Sequence, residues 1–393
     1  VGILDIKALK DSAIKAVEAN RRQLRDLSLK IHANPELGFK EVKASALLTK
    51  YLEANGFAVE RGICKLATAF RASYGKGKPA IAILAEYDAL PQLGHACGHN
   101  LIAGCAVGAV VAAKAAIDQC GGSVLVIGTP AEEFYGGKVI MAERGAFDKI
   151  DTAMMAHPGG HDSATNQALA CITLEVEFFG KAAHAATRPE TGINALEAML
   201  LSFAAINALR QHVLDKARIH GIITDGGEAP NVVPAHSAGS FLVRAEDNAY
   251  LDELKEKVLN CFVGGAAATG ARLEYHWGEV LYAPLRNNLT LAELFRQNIN
   301  SLGRQMPLVG DSRVGSTDMG NVSQLVPGIH PTIAVAPETV AIHSPEFAKV
   351  AASEAGIKGM LDAAKAMAMT VVDLVASPEN VAKVKEEFER AGG

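Results

Sequence analysis

Ala80-Ile-Ala-Ile-Leu-Ala85 runs directly into Glu86-Tyr-Asp-Ala-Leu-Pro-Gln-Leu-Gly-His-Ala-Cys-Gly-His-Asn100. The first six residues are apolar without alternation, as in a strand buried on both faces. The turn that follows crowds His95, Cys97 and His99 among small residues, ahead of an apolar helix over about Leu101–Ile117. Two further units repeat this grammar. Ser123-Val-Leu-Val-Ile-Gly128 precedes a helical stretch over Gly136–Gly145, and Asp151-Thr-Ala-Met-Met-Ala156 reads as a third buried strand. Buried strands alternating with helices indicate an α/β fold, a doubly wound, mostly parallel sheet.

Upstream, Ile14, Val17, Leu24, Leu27 and Ile31 recur at helical spacing and predict one amphipathic helix that stops near Asn34-Pro35. A second helix is expected from Val42 to Asn55, closed by Gly56. The pattern changes at Ile172. Ile172, Leu174, Val176 and Phe178 alternate with Thr173, Glu175 and Glu177, a strand with one wet face. Helices over about Gly192–Leu209 and Ala249–Cys261, with strands near Ser240–Ala245 and Ala271–Trp277, complete a smaller α+β domain. The expected division is a first catalytic part over 1–171, an inserted lid or dimerisation domain over 172–284, and a second catalytic part over 285–393. The strand Pro331–Ala336 belongs to that last part.

Composition narrows the function. A net charge of -5 without a Lys/Arg run argues against a nucleic-acid partner. The apolar run Leu101–Ala113 is too short to span a bilayer, so no membrane partner is expected. Six cysteines without paired spacing fit reduced thiols better than a disulfide framework, and no signal-peptide pattern opens the sequence. Cytoplasm is the expected compartment.

Ligands of an open parallel sheet gather beyond the carboxyl ends of its strands. Glu86–Asn100 follows the first strand, Glu132-Glu133 the second, His157 the third and His343 the late one. Taken singly, each is an ordinary buried thiol, loop histidine or solvated carboxylate; their joint placement points to a metal. Cys97 and His99, two apart in an extended turn, point the same way, and His95 shares that parity as a competing ligand. Adjacent Glu132 and Glu133 point to opposite sides, so one can ligate while the other faces a water. Amide hydrolysis needs that division, because a metal lowers the pKa of the water and a free carboxylate carries its proton to the leaving amine.

Assembled, these residues resemble the aminoacylase/carboxypeptidase family of dinuclear metallopeptidases. The amidohydrolase branch that includes hippurate hydrolase, indoleacetyl-amino-acid hydrolase and aminobenzoyl-glutamate hydrolase is the most similar. The resemblance spans His32–Phe39, Tyr87–Pro91, His95–His99, Pro130–Glu133, His157, Gly180–His184, Asn231–Pro234 and His343. It implies that Cys97, His99, Glu133, His157 and His343 hold two divalent metal ions, with Glu132 as general base and acid. His95 would stand behind the ligands, and Asp88 would orient one of them. His184 would stabilise the oxyanion from the inserted domain, in several members across a homodimer. Asn231 and Arg244 would grip the substrate carboxylate. Zinc suits a thiolate and three imidazoles, while manganese or cobalt is also compatible.

Many relatives outside the branch carry His-x-Asp where Glu86-Tyr87-Asp88 stands, which fits a site using Cys97 and His99 instead. Departures from the branch itself are Asn100 where aspartate often stands and Ser316–Asn321 in place of Ser-Glu-Asp-Phe, and both bear on specificity. The expected activity is metal-dependent cleavage of an amide beside a free carboxylate, in N-acyl amino acids, aminobenzoyl-glutamate or small dipeptides. Two alternatives compete: a non-catalytic protein binding amino-acid derivatives, and a cysteine hydrolase built on Cys97 and His99.

Overall fold

The computed structural model describes residues 5–310 and 315–390. The described residues form two compact units, one of 5–167, 285–310 and 318–390, the other of Ala168–Pro284 and Gly315–Thr317.

In the first unit a six-stranded sheet runs in the order Ala58–Arg61, Phe70–Lys76, Gly122–Gly128, Ala80–Ala85, Thr152–Met154, Gly328–Ile329. The last four are mutually parallel, and the first two form an antiparallel extension at one edge. Alternation within one strand builds two cores. Ile81, Ile83 and Ala85 pack among the N-terminal helices, His99–Cys120 and Glu354–Ala376; Ala80, Ala82 and Leu84 pack with Met141, Phe147 and Val322 on the other face. A strand buried on both sides therefore has no polar alternation to display. By length and composition His99–Cys120 could cross a membrane, yet 83% of its apolar window is buried inside the protein.

Three local expectations are corrected. The opening helix is two, Ile6–Ala19 and Arg21–His32, because the chain bends at Asn20, whose side-chain amide donates to the Ala16 carbonyl at 2.9 Å. The antiparallel pair Ala58–Arg61 and Phe70–Lys76 was not expected, its first strand being short and mostly exposed. The late strand, Thr332–Ala334, does not join the main sheet; it pairs in parallel with His157–Gly159, while Gly328–Ile329 takes the sheet edge. Pro331, which lacks an N–H, lies between those two segments and interrupts the ladder.

In the second unit four antiparallel strands lie in the order Arg272–Trp277, Ala170–Phe179, His236–Ala245, Arg218–Asp225. Ile172, Leu174, Val176 and Phe178 face helices Ala195–Leu209 and Asn248–Thr269, where Phe241 and Phe262 meet edge to face at 4.9 Å. The mostly exposed edge strand Arg218–Asp225 carries little apolar signal and was not expected. The second helix continues two turns beyond Cys261, through Gly264-Gly265. Gly265 is a close-approach residue: a Cβ there would lie 2.4 Å from Ser202 Oγ and 2.5 Å from the Ala198 carbonyl oxygen.

Gly265→Ala is expected to lower the unfolding free energy by about 1–3 kcal/mol, read as a lower urea midpoint. Gly264→Ala, whose methyl meets nothing within 4 Å, is expected to raise it by about 0.4–1 kcal/mol.

Candidate metal centre

Three adjacent parallel strands deliver the site. Glu86 and Asp88 follow Ala80–Ala85, Glu132 and Glu133 follow Gly122–Gly128, and His157 follows Thr152–Met154. Cys97 and His99 do not sit in an extended turn. Gly98 takes a left-handed φ of 80°, and His99 already begins the helix. A side chain at Gly98 would also strike Pro158, its Cβ falling 2.6 Å from Pro158 Cγ. His343 lies on a loop beyond Thr332–Ala334, with φ at 66° and its N–H donating to the Ala96 carbonyl at 3.0 Å.

Ligand atoms of Cys97, His99 and His157 fall within 4.8 Å of one another, and so do those of Cys97, Glu133 and His343. Cys97 belongs to both groups, as expected of a residue shared by two ions. The imidazoles are oriented for ligation. His99 Nδ1 lies 2.9 Å from Asp88 Oδ1, and His157 Nδ1 lies 2.8 Å from the Pro158 carbonyl. Each Nδ1–H donates to that oxygen, which leaves Nε2 of both rings as the atom offered to a metal. His157 Nε2 stands 3.4 Å from Cys97 Sγ. His99 Nε2 is buried without a hydrogen-bond partner, and the buried Glu133 Oε1 faces the His343 ring, with Nε2 at 3.1 Å. Such atoms are costly to bury and fit a cation between them.

Burial opposes a charge on His99, but Cys97, Asp88 and Glu86 outweigh it and raise its pKa well above an ordinary imidazole, so this position favours positive charge. Burial pushes the Cys97 thiol up, so a thiolate there requires a cation at sulfur. Burial and the neighbouring His330 lower His157 to about 3, which keeps it a neutral ligand. Burial opposes the Glu133 carboxylate, but His343, with Nε2 3.1 Å from Glu133 Oε1, and then His99 hold its pKa below the usual range. Glu132 behaves in the opposite way: burial, then Glu86, Asp318 and Glu133, raise it well above a normal glutamate. An oxygen of Glu132 lies within 4.8 Å of ligand atoms of both His99 and Glu133.

Sequence reasoning missed several contributors. Buried Glu41 accepts from Phe39 N at 3.0 Å, Ala131 N at 2.8 Å and the Thr68 hydroxyl at 2.8 Å. It thereby holds Ala131, at a φ of 61°, immediately ahead of Glu132. Burial raises Glu41 itself to about 7. Lys138, Glu86, Asp318 and His330 are also buried nearby, and nothing in their spacing signalled it. His95 is buried with both ring nitrogens unpaired, 6.0 Å from the His32 ring, and belongs to none of the ligand groups. Asn100 donates to Ser28 Oγ and the Ala351 carbonyl, both at 2.9 Å, a packing role on the helix.

In the second unit, exposed His184 accepts at Nδ1 from Ala186 N, Thr187 N and Thr187 Oγ1, all at 3.2 Å. Those donors select the tautomer with hydrogen on Nε2. Asn231 is its neighbour, with its carbonyl accepting from Ala185 N at 3.0 Å. Arg244 donates to Ser316 Oγ at 2.6 Å and to His220 Nε2 at 3.4 Å.

Comparison with known proteins fits this arrangement. Residues 170–264 match the peptidase dimerisation domain of the M20 family. The chain is 36% identical to the Xaa-Arg dipeptidase of Mus musculus, over 98% of this chain and 93% of that protein. It is also 36% identical to one of the subunits of the p-aminobenzoyl-glutamate hydrolase of Escherichia coli (strain K12), over 73% of this chain and 64% of that one. Its fold superposes on a dinuclear metal binding peptidase from the M20 family of Bacillus subtilis with a TM-score of 0.71 at 21% identity, covering 91% of this chain and 99% of that one. The chain belongs to the M20 family of metallopeptidases. It is a metal-dependent hydrolase of amide bonds, which sets aside the non-catalytic binding alternative.

Asp88 also accepts from Glu133 N, at 2.9 Å through Oδ2, so one carboxylate orients two candidate ligands. Asp88→Asn is expected to weaken metal binding about 10–100-fold in a chelator competition, with the far-UV spectrum unchanged.

Proposed function

We propose that the enzyme cleaves an amide bond beside a free α-carboxylate, in small dipeptides, N-acyl amino acids or aminobenzoyl-glutamate. The relatives' activities on Xaa-Arg dipeptides and on p-aminobenzoyl-glutamate support this range. One observation carries the reading: the buried His99 Nε2, without a hydrogen-bond partner, and the buried Glu133 carboxylate lie beside Cys97, with Glu132 as immediate neighbour.

Cys97, His99, Glu133, His157 and His343 would hold two divalent ions. When bound, these ions supply Lewis acidity, lowering the pKa of a water and polarising the scissile carbonyl. A thiolate, imidazoles and one carboxylate favour zinc, with manganese or cobalt compatible. Glu132 takes the proton from the attacking water and returns it to the leaving amine. Burial, and then crowding by neighbouring carboxylates, makes Glu132 a strong enough base for the first step and, once protonated, an acid for the second. His184, with its Nε2–H fixed by the three donors at Nδ1, stabilises the oxyanion. Arg244 and Asn231 bind the substrate carboxylate, and the bond to Ser316 Oγ steadies the guanidinium. The dimerisation-domain match supports a homodimer, and six free thiols support a reducing, cytoplasmic setting.

Chelation is expected to abolish hydrolysis, and added zinc or manganese to restore it. Iodoacetamide sensitivity with no effect of metal removal would instead favour the cysteine-hydrolase alternative. Glu132→Gln is expected to lower kcat by about 10²–10⁴-fold while elemental analysis finds the metal content unchanged; near-normal turnover would sink the base assignment. Arg244→Met is expected to raise KM for a free-carboxylate substrate and leave its C-terminal amide unaffected, checked by paired kinetics.

A further inference from the structure

Among the described residues, Lys138 is the only lysine or arginine whose side chain is buried. It stands in the first turn of the short helix Gly137–Glu143, where the chain folds back on itself. A Cβ on Gly137 would lie 1.8 Å from the Pro130 carbonyl oxygen, so no larger residue allows that return. The ammonium donates to Glu86 Oε1 and to Asp318 Oδ1, the latter at 2.7 Å. The Lys138 backbone N–H donates to Asp318 Oδ2 at 2.8 Å, so one residue grips Asp318 at both oxygens. Glu86 and Asp318 are both buried, and an oxygen of Glu132 lies within 4.8 Å of an oxygen of each.

Three carboxylates this close, two of them buried and Glu132 half-buried, form the hard-oxygen donor set that takes a divalent ion. Here the set already contains a positive charge. A structural role alone accounts poorly for it, since apolar packing of equal volume costs less than buried charge. We propose that Lys138 is a built-in cation: its ammonium fills the position among Glu86, Asp318 and Glu132 that a divalent ion would otherwise take. It thereby keeps the ion count at two and leaves Glu132 for proton transfer. The inference rests on the reading of Glu132 as the base. Lys138 bonds to Glu86 and Asp318 and acts on Glu132 through them, so it is a positioning residue.

The test uses the full chain equilibrated with Mn²⁺ and dialysed, with bound metal counted by elemental analysis. Wild type and Lys138→Arg are expected to hold two ions, and Lys138→Gln and Lys138→Met three. Lys138→Gln is expected to lose about 100-fold in kcat, with KM within about threefold, on whichever of an Xaa-Arg dipeptide or aminobenzoyl-glutamate the enzyme hydrolyses. Neutral variants that still bind two ions overturn the proposal, and so does a third ion that leaves kcat unchanged. If the neutral variants do not fold alone, refolding in Mn²⁺ decides: recovery with a third ion supports the proposal, and no recovery at any Mn²⁺ concentration overturns it. Ion counting needs no turnover. Rapid hydrolysis by Glu132→Gln would therefore defeat the base assignment without touching the ion count, and the two failures stay distinct.

Discussion

The centre depends on Asp88. One oxygen lies 2.9 Å from His99 Nδ1 and the other accepts from Glu133 N at 2.9 Å. That carboxylate joins the end of Ala80–Ala85, the first residue of the helix His99–Cys120 and the loop after Gly122–Gly128. It decides which nitrogen His99 presents and where the backbone of Glu133 runs. Both consequences are needed for two ligands to face one ion. Being 1% exposed, Asp88 has little water to compete for its lone pairs, and the geometry is set before any metal arrives.

Around Asp88 the loops are held in conformations the chain would not choose unaided. Ala131, Phe134 and His343 all adopt positive φ, at 61°, 70° and 66°. Such backbone persists only when its surroundings over-determine it. Glu41 supplies part of that constraint at Ala131, and the Ala96 carbonyl supplies it at His343. The strain brackets Glu132 and Glu133, the two adjacent carboxylates that must behave differently. Glu133 is held ionised by His343 and His99, and Glu132 is pushed up by burial and then by Glu86, Asp318 and Glu133. Opposite environments on neighbouring residues separate a ligand from a proton carrier.

Much of this was legible in the residues. Ala80–Ala85 reads as a doubly buried strand because both its faces meet apolar cores, and the alternation at Ile172–Phe178 reads as a half-wet sheet because Glu175 and Glu177 face solvent. Arg218–Asp225 was illegible for the opposite reason: an exposed edge strand needs no apolar pattern. Asn100, a visible departure from the family pattern, packs against Ser28 and Ala351, far along the chain, and a contact of that kind leaves no local trace.

Order along the chain determined the class of fold, the family and the crowd of metal-seeking side chains at strand ends, because periodicity and motif chemistry are local properties. Tertiary structure alone decided which nitrogen each histidine offers and that His95 stands outside the ligand groups. It also decided that the turn at Gly98 is left-handed and that Lys138 lies buried between Glu86 and Asp318. Those outcomes depend on atoms brought together from distant segments. Lone pairs, buried charge and backbone strain take their values only after that packing is complete.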